Sequence, residues 1–233
     1  MKHFADLHTH TIASGHAYST LDEMIEQAKK INLKVLGITE HGPMMPGSCN
    51  LIYFHNYRVV PREYDSLKLL LGVEANIYDY EGSIDIDDDT LNRLDYAIAS
   101  LHGNIYKAGQ VKDNTRAVIS AMKHNKVKII GHPDDGNIPL NYDEVVKAAK
   151  EYNVALEMNN SSLKPGSFRV NAKDNYKRML DICATKEVPI ILGSDAHIAG
   201  DIAFFEYAEN LLEEIGFPEK LILNNTAFER FKG

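Results

Sequence analysis

The sequence predicts an α/β domain built on a parallel sheet, and three observations support this prediction. Short β-prone segments alternate with helical patterns along the chain, which is typical of βαβ units. Each β-prone segment ends in a polar or metal-ligating side chain. The length of 233 residues suits one domain with a sizeable core and is ordinary for an α/β barrel. We therefore treat residues 1–233 as a single domain.

The elements follow one another in a regular order. After a first strand in "HFADLH", the segment "STLDEMIEQAKKIN" is predicted as a helix, because Met24, Ile25 and Ala28 recur at helical spacing. Ser19 or Thr20 is its candidate N-cap. Six further strands are predicted at "VLGITEH", "LKLLLGVEA", "LDYAIASLHG", "KVKIIGHP", "VALEMNN" and "VPIILGSDAH". Later helices are predicted at "NTRAVISAMKHN", "NYDEVVKAAKEYN", "NAKDNYKRMLDICATKE" and "FFEYAENLLEEIG".

Composition narrows the class of protein. Apolar residues make up 44% and charged residues 25%, as in globular proteins. The net charge of −8 argues against a protein that binds nucleic acid or an anionic membrane through bulk charge. Two isolated cysteines, no signal peptide and no apolar run long enough for a bilayer predict a cytoplasmic protein without membrane contact.

The stretch "FADLHTHTIASGHAYST" places three histidines within nine positions. Side chains alternate along a strand, so His8 and His10 point the same way and are able to share one ion. Taken alone, the pair is equally consistent with a polar loop. The other strand ends favour the metal site, because each of them also delivers a ligand-type or polar residue.

Nine side chains at the strand ends form the candidate metal-ligand set. They are His8, His10, His16, His41, Glu74, His102, His132, Asp195 and His197. A single catalytic zinc uses three or four protein ligands, so nine indicate two or three ions with a bridging carboxylate. Imidazole and carboxylate ligands suit zinc first, with manganese or iron as alternatives. Such a pocket is locally positive and attracts phosphate, which a metal-activated hydroxide would attack.

Candidate substrate contacts come from loops. Arg58 and Arg62, in the long segment 42–66 after the second strand, are candidates for binding phosphate in a bidentate fork. Asn159, at the end of the sixth strand, either contacts substrate or forms a turn. Asp134, after "GHP", is an alternative candidate for moving a proton.

Six motifs in order resemble the PHP (polymerase and histidinol phosphatase) family. They are "DLHTHT…GH", "GITEHG", "GVEAN", "ASLHG", "GHP" and "GSDAH", and they cover nearly the whole chain. The first motif and the "NNSS" after the sixth strand are most similar to the family's small stand-alone bacterial hydrolases. The resemblance implies a distorted TIM-like (β/α)7 barrel with three divalent metal ions at the C-terminal ends of its strands.

The resemblance also implies how the ligands are shared. The first ion would take His8, His10, Glu74 and Asp195; the second Glu74, His102 and His132; the third His16, His41 and His197. Asp6 is expected to orient one of the imidazoles. The chain departs from the family by having Glu40 where "TDH" has an aspartate, which leaves the role of that carboxylate open.

The expected activity is hydrolysis of a small phosphomonoester, with Glu74, Asp195 and His197 as the catalytic residues at the metals. A PHP-type nuclease or phosphodiesterase, an amidohydrolase-type barrel and a non-catalytic metal-binding scaffold are the alternatives. The expected partner is a small phosphorylated substrate, nucleic acid is disfavoured, and a homo-oligomer stays open.

Overall fold

The computed structural model describes residues 3–225 of the chain. In chain order, its strands and α-helices are β1 (Ala5–Asp6), α1 (Leu21–Lys30), β2 (Val35–His41), α2 (Leu51–His55), β3 (Glu63–Tyr64), β4 (Leu67–Asn76), α3 (Asp88–Asn92), β5 (Ala97–Ser100), α4 (Val111–Ala121), β6 (Val127–Ile130), α5 (Tyr142–Tyr152), β7 (Ala155–Asn159), α6 (Ala172–Lys186), β8 (Ile190–Gly193) and α7 (Glu206–Ile215). Over this part of the chain, every helix is too short or too polar to cross a membrane. The prediction that residues 1–233 form one domain includes both ends of the chain, which lie outside the described residues.

Seven parallel strands form a nearly closed barrel with helices between them. Their order in the sheet is β1-β2-β4-β5-β6-β7-β8, and the short β3 pairs antiparallel with β4. The chain beyond β8 meets the chain beyond β1, where Thr9 and Ala196 form a parallel bridge. The N–H of Asp195 donates to the His8 carbonyl at 2.9 Å, and the N–H of His10 donates to the Ala196 carbonyl at 2.9 Å. The predicted α/β class and TIM-like barrel are confirmed.

The first helix begins where its sequence predicts. The Thr20 hydroxyl accepts from the Glu23 N–H at 3.3 Å, while the Glu23 carboxylate accepts from the Thr20 N–H at 2.7 Å. This reciprocal capping box identifies Thr20, rather than Ser19, as the N-cap. Met24, Ile25 and Ala28 are buried against the sheet side of the core, as their spacing predicts.

The long segment after β2 contains more structure than its composition suggests. Asn50 caps the short helix α2, with its side chain accepting from the Ile52 N–H. A turn at Asp65, with φ of 56°, then links β3 to β4 as a hairpin. Because β3 pairs with the first residues of β4, the segment ends beside the N-terminal end of the parallel sheet.

A small apolar cluster fills the barrel interior below the strand ends. It includes Leu7, Leu70, Tyr96, Ile98 and Ile191. The Tyr96 hydroxyl donates to the Leu7 carbonyl at 2.6 Å and so ties this cluster to the backbone after β1. This packing requires Gly37 in β2, because a Cβ there would lie 2.1 Å from the Tyr96 hydroxyl oxygen.

We expect Gly37→Ala to lower the free energy of unfolding by about 1–3 kcal/mol, because the added methyl overpacks the barrel interior. Urea denaturation of the metal-free protein measures this change. Gly200→Ala is the matched control, since a Cβ there meets nothing within 4 Å and should shift stability by no more than about 0.5 kcal/mol. Equal effects of the two substitutions would contradict the packing argument.

Candidate metal centre

The barrel brings the nine predicted ligand residues to one end of the sheet. Glu74 lies in β4 and His41 ends β2, while His102, His132 and Asp195 follow β5, β6 and β8. His8 and His10 follow β1, His16 comes from the turn after them, and His197 lies two residues beyond Asp195. The parallel arrangement explains the convergence, because all seven strands end at the same rim.

Glu74 is at the centre of this cluster, and five imidazoles surround its two oxygens. Oε2 lies 2.7 Å from His41 Nδ1, 3.3 Å from His8 Nε2 and 3.5 Å from His10 Nε2. Oε1 lies 2.8 Å from His132 Nε2 and 3.3 Å from His102 Nε2. Each oxygen therefore faces a different set of imidazoles, as expected of a carboxylate that bridges two ions.

Asp195 provides a second carboxylate beside Glu74. Its Oδ1 lies 3.3 Å from His10 Nε2, 3.4 Å from His197 Nδ1 and 3.7 Å from His8 Nε2. His16 joins from the solvent side, with its Nε2 3.2 Å from His41 Nε2. His16 is the most solvent-exposed of the nine residues.

Four groups of ligand atoms lie close enough together to hold an ion. Their members are His8, His10 and Glu74; His8, His132 and Asp195; His41, Glu74 and His102; and His10, His41 and His197. Within each group the ligand atoms lie within 4.8 Å of one another. His8, His10, His41 and Glu74 each belong to two groups, so the geometry suits several ions that share ligands.

The buried ligand atoms lack other partners, which is the structural test of whether metals fit. His8 Nε2, His10 Nε2, His41 Nδ1, Glu74 Oε2 and Asp195 Oδ1 are buried without a hydrogen-bond partner among the described residues. Unpaired buried polar atoms are rare in folded proteins and destabilise them by about 1–3 kcal/mol each. Coordination of cations would satisfy all five atoms together, so the residues fit a multinuclear centre.

Hydrogen bonds on the far side of His8 fix its tautomer. Its Nδ1 lies 2.6 Å from Glu157 Oε1, and because an ionised carboxylate only accepts, Nδ1 carries the proton. The other oxygen of Glu157 accepts from the His132 N–H at 2.7 Å. The Nε2 lone pair of His8 is therefore directed at the ligand cluster, as in metal sites with carboxylate-supported histidines.

The same logic applies to His102 and His197. The amide nitrogen of Asn76 donates to Asp85 at 2.6 Å, which leaves the Asn76 oxygen to accept from His102 Nδ1 at 2.7 Å. His197 Nδ1 lies 3.0 Å from the Asp195 carbonyl oxygen and must donate to it. Both imidazoles therefore keep Nε2 available as a ligand atom.

His10 is held by a relay that ends on Glu40. The Ser14 hydroxyl donates to the Glu40 carboxylate and accepts from the His41 N–H at 3.1 Å. Its only proton is thus used, so His10 Nδ1 must donate to Ser14 at 3.0 Å. Thr11 also donates to Glu40 through its N–H and hydroxyl. Glu40, which stands where the motif "TDH" has an aspartate, therefore supports His10 through Ser14.

The expectation that Asp6 orients an imidazole is wrong. Its carboxylate accepts from the Ser194 hydroxyl and N–H and from the Ala203 N–H. Asp6 therefore anchors the backbone that precedes Asp195, and Glu157 supports His8 instead. The signal for Glu157 was present in the sequence, because "VALEMNN" carries one carboxylate within an otherwise buried strand.

The charges of the cluster oppose the effect of burial. Burial alone would lower the pKa of His8, but the carboxylates of Glu157, Glu74 and Asp195 raise that pKa well above its usual value. Burial would raise the pKa of Glu74 and of Asp195, but the neighbouring imidazoles hold both well below the usual range. Both carboxyl groups are therefore anionic at neutral pH, as metal ligands must be.

A cavity of about 970 Å³ opens above the cluster. Six of the nine candidate ligands line it: His16, His41, His102, His132, Asp195 and His197. Arg169, from the loop after β7, also lines this cavity. Burial, followed by the charge of Arg169, lowers the pKa of His132 to about 4. Sequence reasoning missed Arg169, which lies ten residues beyond the end of its strand and in no recognised motif.

The two arginines predicted as phosphate contacts lie elsewhere. Arg62 forms an ion pair with Asp95, which precedes β5 at the N-terminal end of the sheet. Arg58 is exposed and lines a separate cleft of about 950 Å³ with Ile38 and Leu71. The prediction failed in its placement because the segment runs beside β2 and β4 instead of across the mouth of the barrel.

The two residues predicted as candidates after β6 and β7, Asp134 and Asn159, do not line the cavity. Asn159 is buried, and its amide nitrogen donates to Glu157 and to Asp195, each at 3.2 Å. It therefore positions two carboxylates and does not line the cavity. Asp134 is also buried beside Ser162, and burial raises its pKa to about 6. The following residue, Asp135, lines the cavity instead.

In the metal-free protein, we expect Glu157→Gln to lower the pKa of His8, because the substitution removes the negative charge next to Nδ1. NMR titration of the histidine side chains measures this pKa. Glu151→Gln, an exposed substitution on α5, is the matched control and should leave it unchanged. An unaltered His8 pKa in Glu157→Gln would contradict the assigned hydrogen bond.

Comparison with known proteins finds one matching domain family and relatives that align along nearly the whole chain. The PHP domain model matches residues 6–163. A protein named probable phosphatase from Clostridium botulinum is 47% identical over 227 residues, or 97% of this chain and 91% of the relative. Another probable phosphatase, from Caldicellulosiruptor saccharolyticus, is 47% identical over 221 residues, or 95% of this chain and 91% of the relative.

A solved structure shows the same fold. Histidinol phosphate phosphatase of Lactococcus lactis, in complex with zinc, L-histidinol and phosphate, aligns with a TM-score of 0.62. The alignment covers 92% of this chain and 94% of that one at 20% identity, so it is evidence for the fold alone. The family match over more than half of the chain and the relatives at 47% identity show that this protein belongs to the PHP domain family.

Proposed function

We propose that the protein is a metal-dependent phosphatase that hydrolyses a small phosphomonoester at a centre of three divalent ions. The observation that carries the proposal is the buried Glu74 carboxylate, which lies among five imidazoles while its Oε2 lacks a hydrogen-bond partner within residues 3–225. The relatives named probable phosphatases support the reaction class.

The ligand chemistry favours zinc. The cluster offers imidazoles and carboxylates, and the free cysteines Cys49 and Cys183 are outside it. The zinc in the Lactococcus lactis structure supports the same choice, with manganese or iron as alternatives. Three ions are proposed because the four ligand groups overlap at His8, His10, His41 and Glu74. The proposed ligands are His8, His10, His16, His41, Glu74, His102, His132, Asp195 and His197.

Bound divalent ions would stabilise charge on the phosphoryl oxygens and lower the pKa of a bound water. The residues of the chain supply the rest of the chemistry. Arg169 lines the cavity and is the guanidinium placed to bind the non-bridging phosphoryl oxygens. Asp195 lies beside the cavity and is held anionic, so as a ligand of the ions it would help to orient the attacking water. Glu74 and His197 orient the centre around it.

The alternatives have weaker support. Among the residues that line the cavity, Lys107 and Arg169 are the cationic side chains apart from histidines, which is few for a polynucleotide track. An amidohydrolase-type centre with a carbamylated lysine after β5 is disfavoured, because His102 occupies that position. A scaffold without chemistry would not need four imidazoles with their ligand nitrogens already oriented.

Metal dependence and phosphatase activity are tested together on the purified protein. We expect about three equivalents of zinc per chain by elemental analysis, and phosphate release from phosphomonoesters that chelator abolishes. His8→Ala should lower turnover more than about 100-fold and reduce the metal content. His124→Ala removes a histidine outside the cluster and should change neither quantity. No release of phosphate from monoesters by the metal-loaded protein would contradict the proposal, and nucleotide loss from single-stranded DNA with manganese would favour the nuclease.

Arg169→Ala should lower kcat/KM for phosphomonoesters about 10–100-fold, because it removes a charged hydrogen-bond donor to the phosphoryl group. Arg169→Lys should recover part of this loss. Steady-state kinetics with the metal-loaded variants gives the comparison. Arg58→Ala is the matched control, and we expect it to stay within about twofold of the parent. A larger effect at Arg58 than at Arg169 would reverse the assignment.

A further inference from the structure

We propose that the cleft beside α2 is a second ligand site, which binds a small amphiphilic carboxylate with its apolar body along the cleft and its carboxylate at Arg58. The cleft has a volume of about 950 Å³, near the upper end of the range for pockets that enclose small organic ligands. Among the described residues, none lines both this cleft and the cavity above the histidines. The two sites are therefore separate, and binding at the cleft is independent of the proposed phosphatase function.

The surface of the cleft is mainly apolar. Ile38 and Leu71 are paired residues on β2 and β4, and both line it together with Leu21 at the start of α1. Ile52 and Val59 also line it, and 72% and 65% of their surfaces are exposed. The protein thus leaves apolar area at this cleft in contact with water. An apolar ligand body would cover that area, which favours binding.

Several of the polar side chains that line the cleft have no capacity left for a ligand. The Asn50 side-chain oxygen caps α2, and His55 Nε2 lies 2.7 Å from the Thr90 hydroxyl. Burial raises the pKa of the Cys49 thiol to about 12, so this group is neutral. The Tyr57 hydroxyl is buried. A ligand body with many hydroxyl groups would find few partners here, whereas an apolar body needs none.

The charge at the open edge of the cleft is positive. Arg58 and Arg93 line it, and no aspartate or glutamate among the described residues does so, although the net charge of the chain is −8. Arg93 pairs with Asp89 at 3.0 Å, and both side chains are exposed. Arg58 is also exposed, and it forms no ion pair within residues 3–225. Its guanidinium is therefore free to bind an anion.

The two halves of the cleft together define the class of ligand. A guanidinium presents parallel N–H groups that match the two oxygens of a carboxylate. An exposed ion pair alone contributes little to affinity, so a simple anion would be held weakly at Arg58. An apolar body supplies the remaining affinity by covering Ile52 and Val59. The one unpaired guanidinium matches the single negative charge of a carboxylate.

Isothermal titration calorimetry of the purified protein with decanoate tests the site. We expect saturable binding with a Kd below about 1 mM. Propionate has the same carboxylate with little apolar body, and decylamine has the same body with a positive charge. Each should bind about tenfold or more weakly than decanoate. Arg58→Ala should weaken decanoate binding about tenfold, and Arg58→Lys should recover part of the loss.

Arg178→Ala is the matched control, because it removes an exposed arginine from α6 and should leave decanoate binding unchanged. No saturable binding of decanoate would overturn the site. Equal binding of decylamine would overturn the role of charge, and equal binding of propionate would overturn the apolar body. An unchanged Kd in Arg58→Ala would place decanoate elsewhere, including on ions at the histidines, and would also overturn the proposal. These measurements involve no turnover, so each outcome leaves the proposed phosphatase function untouched.

Discussion

The structure depends on one buried negative charge, that of Glu74. A carboxylate removed from water is strongly destabilising unless cations or hydrogen-bond donors surround it. Glu74 is fully buried, and its neighbours are five imidazoles that come from four different strand ends. Four of the histidines in the cluster carry their proton on the nitrogen that faces away from the ligand atoms. Their ligand nitrogens therefore face the carboxylates of Glu74 and Asp195, an arrangement that the proposed metal ions would complete.

A second layer of acceptors holds the imidazoles and the barrel at the same time. Glu157 in β7 binds the side chain of His8 and the backbone of His132, and so connects the ends of three strands. Asp6 binds Ser194 and Ala203 across the seam between β1 and β8. Glu40 stabilises the turn that carries Ser14. Distortion of the barrel would therefore misalign the ligand atoms, because the same hydrogen bonds maintain both.

The rim of the site was predictable from sequence because a parallel barrel brings the C-terminal ends of its strands together. The predicted C-terminal ends of the strands were sufficient to bring His41, Glu74 and His132 together at one rim. The hydrogen bonds that orient the ligands were harder to predict from sequence, because Glu157 and His8 are 149 positions apart in the chain. The placement of loop residues was not predictable in the same way. Arg62 pairs with Asp95, which is 33 positions away, and the fold alone shows that this segment runs along the side of the sheet.

Volume alone would not have located the site. The cleft beside α2, at about 950 Å³, is as large as the cavity of about 970 Å³ above the histidines. The distinguishing feature is chemical, because the cavity above the histidines ends on buried, oriented ligand atoms that have no hydrogen-bond partner in the described part of the chain. In the proposed function the ligand atoms are fixed before any ion binds, so the ions would contribute little to discrimination among substrates. Discrimination would then depend on the loops after β2, β5, β6 and β7, which line the outer part of the cavity and are able to vary without moving the barrel.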